Sequence, residues 1–317
     1  MTSEALAGWP PPALDPAGPY AGSTALLSWG LFAMAGFVLL VVLAALGVAL
    51  FGSPRLKQRL GGEKLIWAGG LAFPVVVLTG LLVIGLSLTS KLSGPIGEDA
   101  LRARITGEMW WWRVAYLDEQ GRELFQDANE LHIPVGKTVV LELESGDVIH
   151  SFWVPRLSGK LDMIPGRRNI MRIQADRPGA FGGQCAEYCG GPHALMGFVV
   201  VAHEPAEFER LMRARAAPAG PPSTPLAARG AQVFAASGCG ACHTVRGTQA
   251  NGLAGPDLSH VGARRTLGAG ILPNNRGTLA GWVADSQAIK PGNRMPAYRV
   301  LPGEDLQAVA AYLEGLK

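Results

Sequence analysis

Charged side chains are scarce in this 317-residue sequence. They make up 17% of the chain, against about 25% in soluble globular proteins, which excludes a disordered tail protein and disfavours an entirely soluble enzyme. The net charge of +3 is too small to indicate a nucleic-acid partner. The 42 glycines follow no three-residue repeat, which excludes collagen. Only four cysteines are present. They form two close pairs, each with a histidine nearby, and therefore favour cofactor attachment over a disulfide scaffold.

Two long segments, 26–51 and 65–88, contain no charged residue at all. Because a membrane-spanning helix needs about 20 apolar residues, each segment is predicted to cross a lipid bilayer. A pair of buried core helices is the alternative, but uninterrupted apolar runs of this length are rare in soluble cores. The chain therefore begins with a predicted two-helix transmembrane hairpin.

The loop between the two apolar segments is basic, whereas the tail before residue 26 has no Lys or Arg. The loop sets four cations against one acid, Glu63: Arg55, Lys57, Arg59 and Lys64. The positive-inside rule then puts the loop in the cytoplasm, and the N-terminus and everything after Ser90 outside a bacterial plasma membrane. Since the tail lacks a basic region, we expect the first helix to be retained and not cleaved as a signal peptide.

After residue 90 the predicted secondary structure changes from strands to a Pro-rich linker and then to helices. Short β-rich runs at 131–143, 169–174 and 197–202, separated by turn residues, predict a β-sandwich or barrel. An amphipathic helix is predicted over 205–215, and the Pro-rich run 216–225 reads as a semi-extended linker with few packing residues. Helical patterns follow at 226–237 and 304–316, on either side of a Gly-rich middle. The predicted divisions are an outer tail (1–25), the membrane hairpin (26–90), a β domain (91–205), a helix with linker (206–225) and an α domain (226–317).

Sulfur and imidazole ligands cluster in the β domain. Cys185, Cys189, His193 and Met196 lie within twelve positions, and His150 lies upstream at the end of a predicted strand. Soft sulfur ligands with imidazole and a weak methionine favour copper, and two thiolates at this spacing can bridge two copper ions. A disulfide, a structural zinc site and a copper-delivery thiol protein are the alternatives. The first two leave Met196 without a role.

The second cysteine pair has the attachment pattern of a c-type haem, Cys239-Gly-Ala-Cys242-His243. A thioredoxin-like motif would need a βαβ setting, which the sequence does not indicate. Met295 is the only methionine after residue 226 and is the predicted second iron ligand, since Met with His suits electron transfer. His260, His132 and His203 are interpreted as surface or internally satisfied histidines without clustered partners.

Three runs in the β domain resemble subunit II of cytochrome c oxidase. They are the stretches 150–155, 162–167 and 185–196, within a resemblance that covers roughly 14–209. The resemblance implies a cupredoxin-like barrel with a dinuclear CuA centre bridged by Cys185 and Cys189. Its further implied ligands are His150 and His193, one to each copper, with Met196 and the backbone carbonyl of Glu187 as weak ligands. The Glu187 side chain is implied to reach a magnesium ion at the contact with subunit I, and Trp110 to be the point where electrons reach the copper site. Trp111 and Trp112 are instead interpreted as a buried strand or interfacial aromatics.

The C-terminal region resembles class I cytochromes c, an all-α fold. That resemblance implies one covalent haem c, held by Cys239 and Cys242, with His243 and Met295 as axial ligands. The carbonyl of Pro256 is implied to hold the ring of His243. Together, the two resemblances identify the chain as a subunit II with a fused cytochrome c, as in caa-type haem–copper oxidases.

The implied function is electron transfer, with oxygen reduced in subunit I. The expected partners are subunit I, other oxidase subunits, a soluble or membrane-bound cytochrome c donor and the lipid bilayer, with no nucleic acid. The equivalent subunit of a copper-containing nitric oxide reductase would carry the same ligands. A membrane-tethered copper chaperone or thiol reductase is the third hypothesis, and the β-only texture around Cys185 opposes it. Direct quinol oxidation is disfavoured because quinol oxidases of the family lack the copper ligands.

The two outer domains carry opposite net charge. Residues 226–317 contain nine Lys and Arg against five Asp and Glu, whereas residues 91–205 contain twelve against fifteen. Complementary charge predicts that the haem domain docks on the copper domain, with the linker keeping the two close together.

Overall fold

The computed structural model describes residues 12–92, 94, 97 and 100–317. The first eleven residues of the predicted outer tail lie outside the described residues, as do residues 93, 95, 96, 98 and 99 near the predicted start of the β domain. The chain divides into a helical unit, Ser23–Gly97, and a second unit that contains the remainder. The two units are described separately.

Two long apolar helical segments form the first unit. Helix α1 is Pro19–Phe51, and a short α2, Pro54–Leu60, occupies the basic loop. The second long segment, Glu63–Leu92, comprises α3 (Glu63–Trp67), a π-helical turn (Ala68–Ala72) and α4 (Phe73–Leu92). Both long segments are long and apolar enough to cross a membrane, and their most apolar windows have no buried residues. This confirms the two predicted apolar helices.

The β domain consists of two five-stranded sheets. The first has the order β3-β2-β1-β5-β8 and the second β4-β10-β9-β6-β7. The strands are β1 (Leu101–Glu108), β2 (Trp111–Leu117), β3 (Glu123–Ala128), β4 (Glu130–Pro134), β5 (Val139–Ser145), β6 (His150–Trp153), β7 (Lys160–Met163), β8 (Asn169–Ile173), β9 (Gly179–Cys185) and β10 (Gly197–His203). The predicted β domain is therefore confirmed.

Aromatic side chains fill the core of the β domain. Trp112, Phe152 and Phe198 meet edge to face with ring centroids 5.0–5.9 Å apart. Trp112 and Phe152 are fully buried. The expectation that Trp112 belongs to a buried strand is therefore confirmed, and β6 and β9 contribute Phe152, Phe181 and Cys185 to the same core.

Helices form the C-terminal domain. Helix α5 (Pro205–Ala216) ends before the linker, and α6 (Pro225–Ala236), α7 (Arg276–Ile289) and α8 (Gly303–Gly315) follow. The α6–α8 contact is close: a Cβ on Gly230 would lie 1.9 Å from Ala308 O, so only glycine allows it. A two-residue strand pair, Thr266–Leu267 with Leu272–Pro273, interrupts the helices.

Two features of this region differ from the sequence analysis. Helix α7 lies in the Gly-rich middle, where no helix is predicted. Its signal is a capping box, since the side chains and backbone amides of Asn275 and Thr278 hydrogen bond reciprocally. The linker also packs more than its composition indicates. Ala219 contacts the α-domain core, and its N–H donates to Arg246 O at 2.9 Å.

Candidate copper and haem sites

The loop between β9 and β10 folds the sulfur ligands back on each other. The two strands are antiparallel, and Cys185 N donates to Met196 O at 3.0 Å, so residues eleven apart become neighbours. Cys185 Sγ lies 3.7 Å from Cys189 Sγ, and Cys189 Sγ lies 3.5 Å from His193 Nδ1 and 3.9 Å from Met196 Sδ. The structure thus brings together the four ligand candidates of this loop.

Two further ligand candidates reach the same cluster. His150, at the start of β6, places Nδ1 3.9 Å from Cys185 Sγ, and the carbonyl oxygen of Glu187 lies 3.2 Å from that sulfur. The Glu187 side chain is exposed. The Glu187 carbonyl therefore faces the cysteine cluster while its carboxylate is exposed, which is compatible with the two separate roles expected for them.

A carboxylate that sequence reasoning missed orients His150. Asp147 Oδ1 accepts a hydrogen bond from His150 Nε2 at 2.9 Å, which fixes the tautomer and turns Nδ1 toward the sulfurs. Asp147 is itself held by Met109 N at 2.8 Å. Burial opposes its ionisation, but the bond from His150 and two backbone N–H bonds keep the pKa of Asp147 below its usual value. The only sequence signal for this role is its position three residues before His150.

The donor chemistry fits a multivalent soft cation. Burial opposes ionisation of both thiols, yet the hydrogen bond with His150 lowers the pKa of Cys185 to about 6. Burial and the adjacent Cys185 charge raise the pKa of Cys189 to about 12. A second thiolate beside the first is therefore stable only with cations between them. Both cysteines are free thiols, which does not favour the disulfide alternative.

The C-x-x-C-H motif opens onto a cavity of about 320 Å³, which is lined by the α domain and by residues 108–111 and Asn129 of the β domain. Cys239, Cys242 and His243 line one part of its wall, and Met295 also lines it. Most of the remaining wall is apolar, as a macrocycle requires: Leu258, Val261, Leu279, Val283 and Leu313. The residues present therefore fit a covalently attached haem.

The backbone holds the two axial ligand candidates. His243 Nδ1 donates to Pro256 O at 2.8 Å, the contact that the cytochrome resemblance implies. Burial lowers the pKa of His243, which favours the neutral, ligating imidazole. Met295 N donates to Asn293 Oδ1 at 2.9 Å, and Met295 O accepts from Ser286 Oγ at 3.0 Å. These bonds fix the loop that carries Met295.

The other histidines lie away from the cavity lining. His260 is buried, and its Nε2 donates to Ala217 O at 3.1 Å, which agrees with an internally satisfied histidine. The expectation that His132 and His203 lack clustered partners is wrong. Their rings lie 2.9 Å apart through Nδ1 and Nε2, and His203 Nδ1 lies 3.2 Å from Glu207. The two residues are distant in sequence, but β4 and β10 pair in parallel and bring them together.

Trp110 lies between the two candidate sites. Its indole lines the haem cavity, and its Nε1 donates to Cys189 O at 2.8 Å. Gly190 allows this approach, since a Cβ there would lie 3.1 Å from Trp110 Cζ2. One side chain therefore touches both the haem cavity and the cysteine loop.

Buried ion pairs join the haem domain to the β domain. Asp127 on β3 accepts from Arg264 Nε at 2.8 Å and from Arg215 of α5 at 3.3 Å, and all three side chains are buried. Glu130 Oε1 accepts from the N–H groups of Arg265 at 2.5 Å and of Thr266 at 3.2 Å. The expected docking between oppositely charged domains therefore uses buried groups.

A second set of contacts joins the haem domain to the copper loop. Gly197 N donates to Ala269 O at 2.9 Å. Lys290 Nζ donates to Trp110 O, Leu195 O and Gly268 O at 2.6, 2.7 and 2.9 Å. These groups come from parts of the chain that sequence patterns do not connect.

Fold and sites together define a membrane-anchored electron-transfer protein with a copper-type β domain and a cytochrome c domain. The family described as "Cytochrome C oxidase subunit II, periplasmic domain" matches residues 113–203, and the family "Cytochrome c" matches residues 227–317. Cytochrome c oxidase subunit 2 of Alkalihalophilus pseudofirmus is 35% identical over 316 residues, covering 96% of this chain and 90% of that protein. The chain therefore belongs to the cytochrome c oxidase subunit II family and carries a C-terminal cytochrome c domain.

Other similar proteins have the same description. Cytochrome c oxidase subunit 2 of Bacillus subtilis is 29% identical over 284 residues, covering 84% of this chain and 78% of that protein. A crystal structure of the periplasmic domain of subunit II of cytochrome oxidase of Bradyrhizobium japonicum is 34% identical. It covers 36% of this chain and 92% of its own, with a TM-score of 0.34.

Proposed function

We propose that electrons from a soluble or membrane-bound cytochrome c reach a respiratory haem–copper oxidase through this chain, for reduction of oxygen to water in subunit I. When bound, haem c and a dinuclear CuA centre supply reversible one-electron chemistry. The observation that supports this order most directly is Trp110, which lines the haem cavity and hydrogen bonds to Cys189 O. The indole thus gives the two sites a contact through a single side chain.

The proposed copper ligands are those that the β9–β10 loop and β6 collect. Cys185 and Cys189 would together hold two copper ions, and His150 and His193 would each bind one of them. Met196 and the carbonyl of Glu187 complete the two sites. The support is that these donor atoms lie 3.2–3.9 Å from the cysteine sulfurs. The exposed Glu187 carboxylate is the proposed magnesium contact toward subunit I.

The proposed haem attachment uses Cys239 and Cys242 as thioethers. His243 and Met295 would hold the haem iron, with Pro256 orienting the histidine ring. We propose that this domain occupies 226–317 and the copper domain 91–205, joined by 206–225. Both domains lie on the outer face of a bacterial plasma membrane, because the intervening loop of the membrane hairpin is basic.

Trp110→Phe tests the proposed route. The variant keeps an aromatic ring in the cavity wall but loses the hydrogen bond to Cys189 O. We expect haem-to-copper electron transfer to slow roughly tenfold, with two coppers and one haem per chain by elemental analysis and both absorption spectra unchanged. Flash-induced reduction of copper in the purified oxidase measures the rate. Trp111→Phe is the matched control, because Trp111 lines the same cavity. Its ring stacks against Arg113, whose Cζ lies 4.7 Å from the Trp111 ring centroid.

The outcomes separate the proposed function from its alternatives. Equal rates in Trp110→Phe and the wild type would remove Trp110 from the route. Consumption of nitric oxide and not oxygen by the purified complex would identify the reductase alternative. A single copper, or zinc, would favour the chaperone or structural-metal alternatives.

A further inference from the structure

A lysine of the haem domain is buried beside the copper loop. Lys290 caps the C-terminal end of α7, and the residue is 2% exposed. Its ammonium donates to Trp110 O at 2.6 Å and to Leu195 O at 2.7 Å in the β domain, and to Gly268 O at 2.9 Å in its own domain. One side chain therefore ties two segments of the copper domain to the haem domain.

The hydrogen-bonding capacity of this ammonium is fully used. A lysine has three N–H donors and no acceptor, and here each donor has a carbonyl acceptor. No carboxylate of the residues that the structure describes lies within ion-pair distance of Lys290 Nζ. The three carbonyl dipoles and the nearby Cys189 sulfur offset only part of the cost, and burial lowers the pKa of Lys290 to about 7. Burying a charge in this way is costly. An apolar contact would join two domains at lower cost, so the arrangement indicates a requirement for fixed geometry.

The three carbonyls are each close to one of the two sites. Leu195 directly precedes the ligand candidate Met196, and Trp110 also bonds to Cys189 O. Gly268 lines the haem cavity. The ammonium therefore acts on the backbone of the copper loop and on the wall of the haem cavity at once.

The backbone of Lys290 continues the connection into the haem domain. Lys290 O accepts from Asn293 Nδ2 at 2.8 Å, and Asn293 Oδ1 accepts from Met295 N at 2.9 Å. An unbroken chain of bonds thus runs from the Met295 loop through Asn293 and Lys290 to Leu195, next to Met196.

We propose that Lys290 is a positioning residue for electron transfer. Its buried ammonium holds the Met295 loop and Trp110 in fixed register with the copper loop, an inference that rests on the function proposed above. The contacts of Asp127 with Arg215 and Arg264 involve no residue of the copper loop. They keep the domains associated but do not set this register.

Lys290→Met in the full-length, detergent-purified oxidase tests the proposal, with Lys317→Met as the control. Both variants remove one lysine charge from the haem domain, but Lys317 is exposed at the end of the chain. Lys290→Gln, which retains two donors, is the second variant and should fall between Lys290→Met and the wild type. Haem content, copper content and both spectra are checked first, and all are expected to match the wild type.

The first measurement is amide hydrogen exchange and does not depend on activity. Gly197 N donates to Ala269 O beside Lys290, whereas Arg265 N and Thr266 N donate to Glu130 at the Asp127 side of the boundary. In Lys290→Met we expect exchange at Gly197 to rise about tenfold, the factor that corresponds to about 1.4 kcal/mol, with no change at Arg265 and Thr266. A rise at all three amides would mean general undocking and would overturn a specific positioning role.

The second measurement is haem-to-copper electron transfer after flash reduction. We expect a roughly tenfold slower rate in Lys290→Met and a wild-type rate in Lys317→Met. Equal rates in both lysine variants would refute the role of Lys290 while leaving the proposed function intact. Absence of haem-to-copper transfer in the wild type would instead refute the proposed function. If Lys290→Met loses its haem, Lys290→Gln decides: it must show the same local exchange and a slowed rate, or the proposal is wrong.

Discussion

At the residue scale, some ligand candidates of the two sites are close together in sequence and others are far apart. Cys185, Cys189, His193 and Met196 lie on one loop, so their spacing alone indicates a metal site. His150 and Met295 lie on segments that are distant in sequence from the cysteines of their sites. Met295 lines the haem cavity, whereas His260 is buried elsewhere with its Nε2 bonded to Ala217 O.

Met295→Leu should remove the second iron ligand without emptying the cavity, because leucine preserves the apolar volume. We expect loss of the weak Met–iron charge-transfer band and a lower haem potential, since methionine ligation raises the potential. Absorption spectroscopy and redox titration measure these changes. His260→Ala is the control and should leave both unchanged. The reverse pattern would assign the ligand to His260.

Glu130 gives the boundary between the domains a pH dependence. Burial and the nearby Asp127 charge raise its pKa to about 7 from an ordinary value of 4.5. Between these two pH values the folded state holds a proton that the unfolded state has released. The Glu130 contribution to the free energy of unfolding is therefore complete below pH 4.5 and is lost as the pH rises through about 7.

Glu130→Gln removes this titration but keeps an amide oxygen to accept from Arg265 N and Thr266 N. Relative to the wild type, the variant should gain stability between pH 5 and pH 8, by up to about 3 kcal/mol. Thermal unfolding midpoints across this range measure the difference. His132 Nε2 lies 3.9 Å from Glu130 Oε2, but burial lowers the pKa of His132 to about 3, so the ring does not titrate in this range. Exposed Glu119→Gln is the control, and a pH-independent difference for Glu130→Gln would contradict the prediction.

The residue roles that were predictable are those of residues closely spaced in sequence or those that match a family motif. Asp147 lies three residues before its partner His150, but this spacing alone does not distinguish an orienting carboxylate from a surface one. Lys290 and the His132–His203 pair were not predictable, because their partners are distant in sequence. Strand pairing decides the last case, since β4 and β10 align His132 with Val201 and place His203 at the same edge. A single sequence contains no signal for such parallel register.

At the scale of elements, hydrophobic periodicity predicted the strands and helices whose pattern of apolar and polar residues is regular. The strands over 139–145, 169–173 and 197–203 and the helices at 205–216, 225–236 and 303–315 agree with their sequence patterns. Helix α7 was missed because glycines dominate its surroundings, although Leu279 and Val283 fall one helical turn apart and are buried. Its end carries Lys290 and thereby connects this missed element to the copper loop.

Helix α5 is anchored at its C-terminal end by Arg215, which pairs with Asp127 beside Arg264. Asp127→Asn would leave two buried guanidinium groups without their carboxylate, at a cost of about 3–5 kcal/mol. We expect a lower unfolding midpoint and faster proteolysis of the linker over 217–224. Limited proteolysis and thermal unfolding of the purified oxidase measure both effects.

Glu209→Gln is the matched control on the same helix. Its partner Arg213 lies 3.8 Å away and both side chains are about 70% exposed, so the loss should stay below about 0.5 kcal/mol. If Asp127→Asn behaves like Glu209→Gln, the Asp127 cluster does not hold the haem domain in place.

At the scale of the whole molecule, the linker and the buried boundary perform different tasks. A flexible linker alone gives an effective concentration on the order of millimolar, but it does not fix orientation. The buried ion pairs of Asp127 keep the two domains associated, and the bonds of buried Lys290 fix their orientation. The net charges of the two domains predicted the docking, whereas the buried groups that carry it could not be read from composition.

Electron transfer from haem to copper within the intact chain should therefore depend weakly on salt. Surface attraction between charges is screened beyond about 8 Å at physiological ionic strength, but buried pairs are screened much less.

The Cys239→Ser/Cys242→Ser variant has no attached haem, so free reduced cytochrome c must reach the copper site by diffusion. Trp110 of the copper domain lines the cavity that the fused haem domain covers, which restricts this encounter. We expect only partial rescue, and because electrostatic steering governs such encounters, the rescue should fall steeply with salt. Stopped-flow reduction of copper across one salt series compares the two cases. An intact-chain rate that falls with salt as steeply as the rescue would show that exposed charges, and not the linker with its buried contacts, bring haem and copper together.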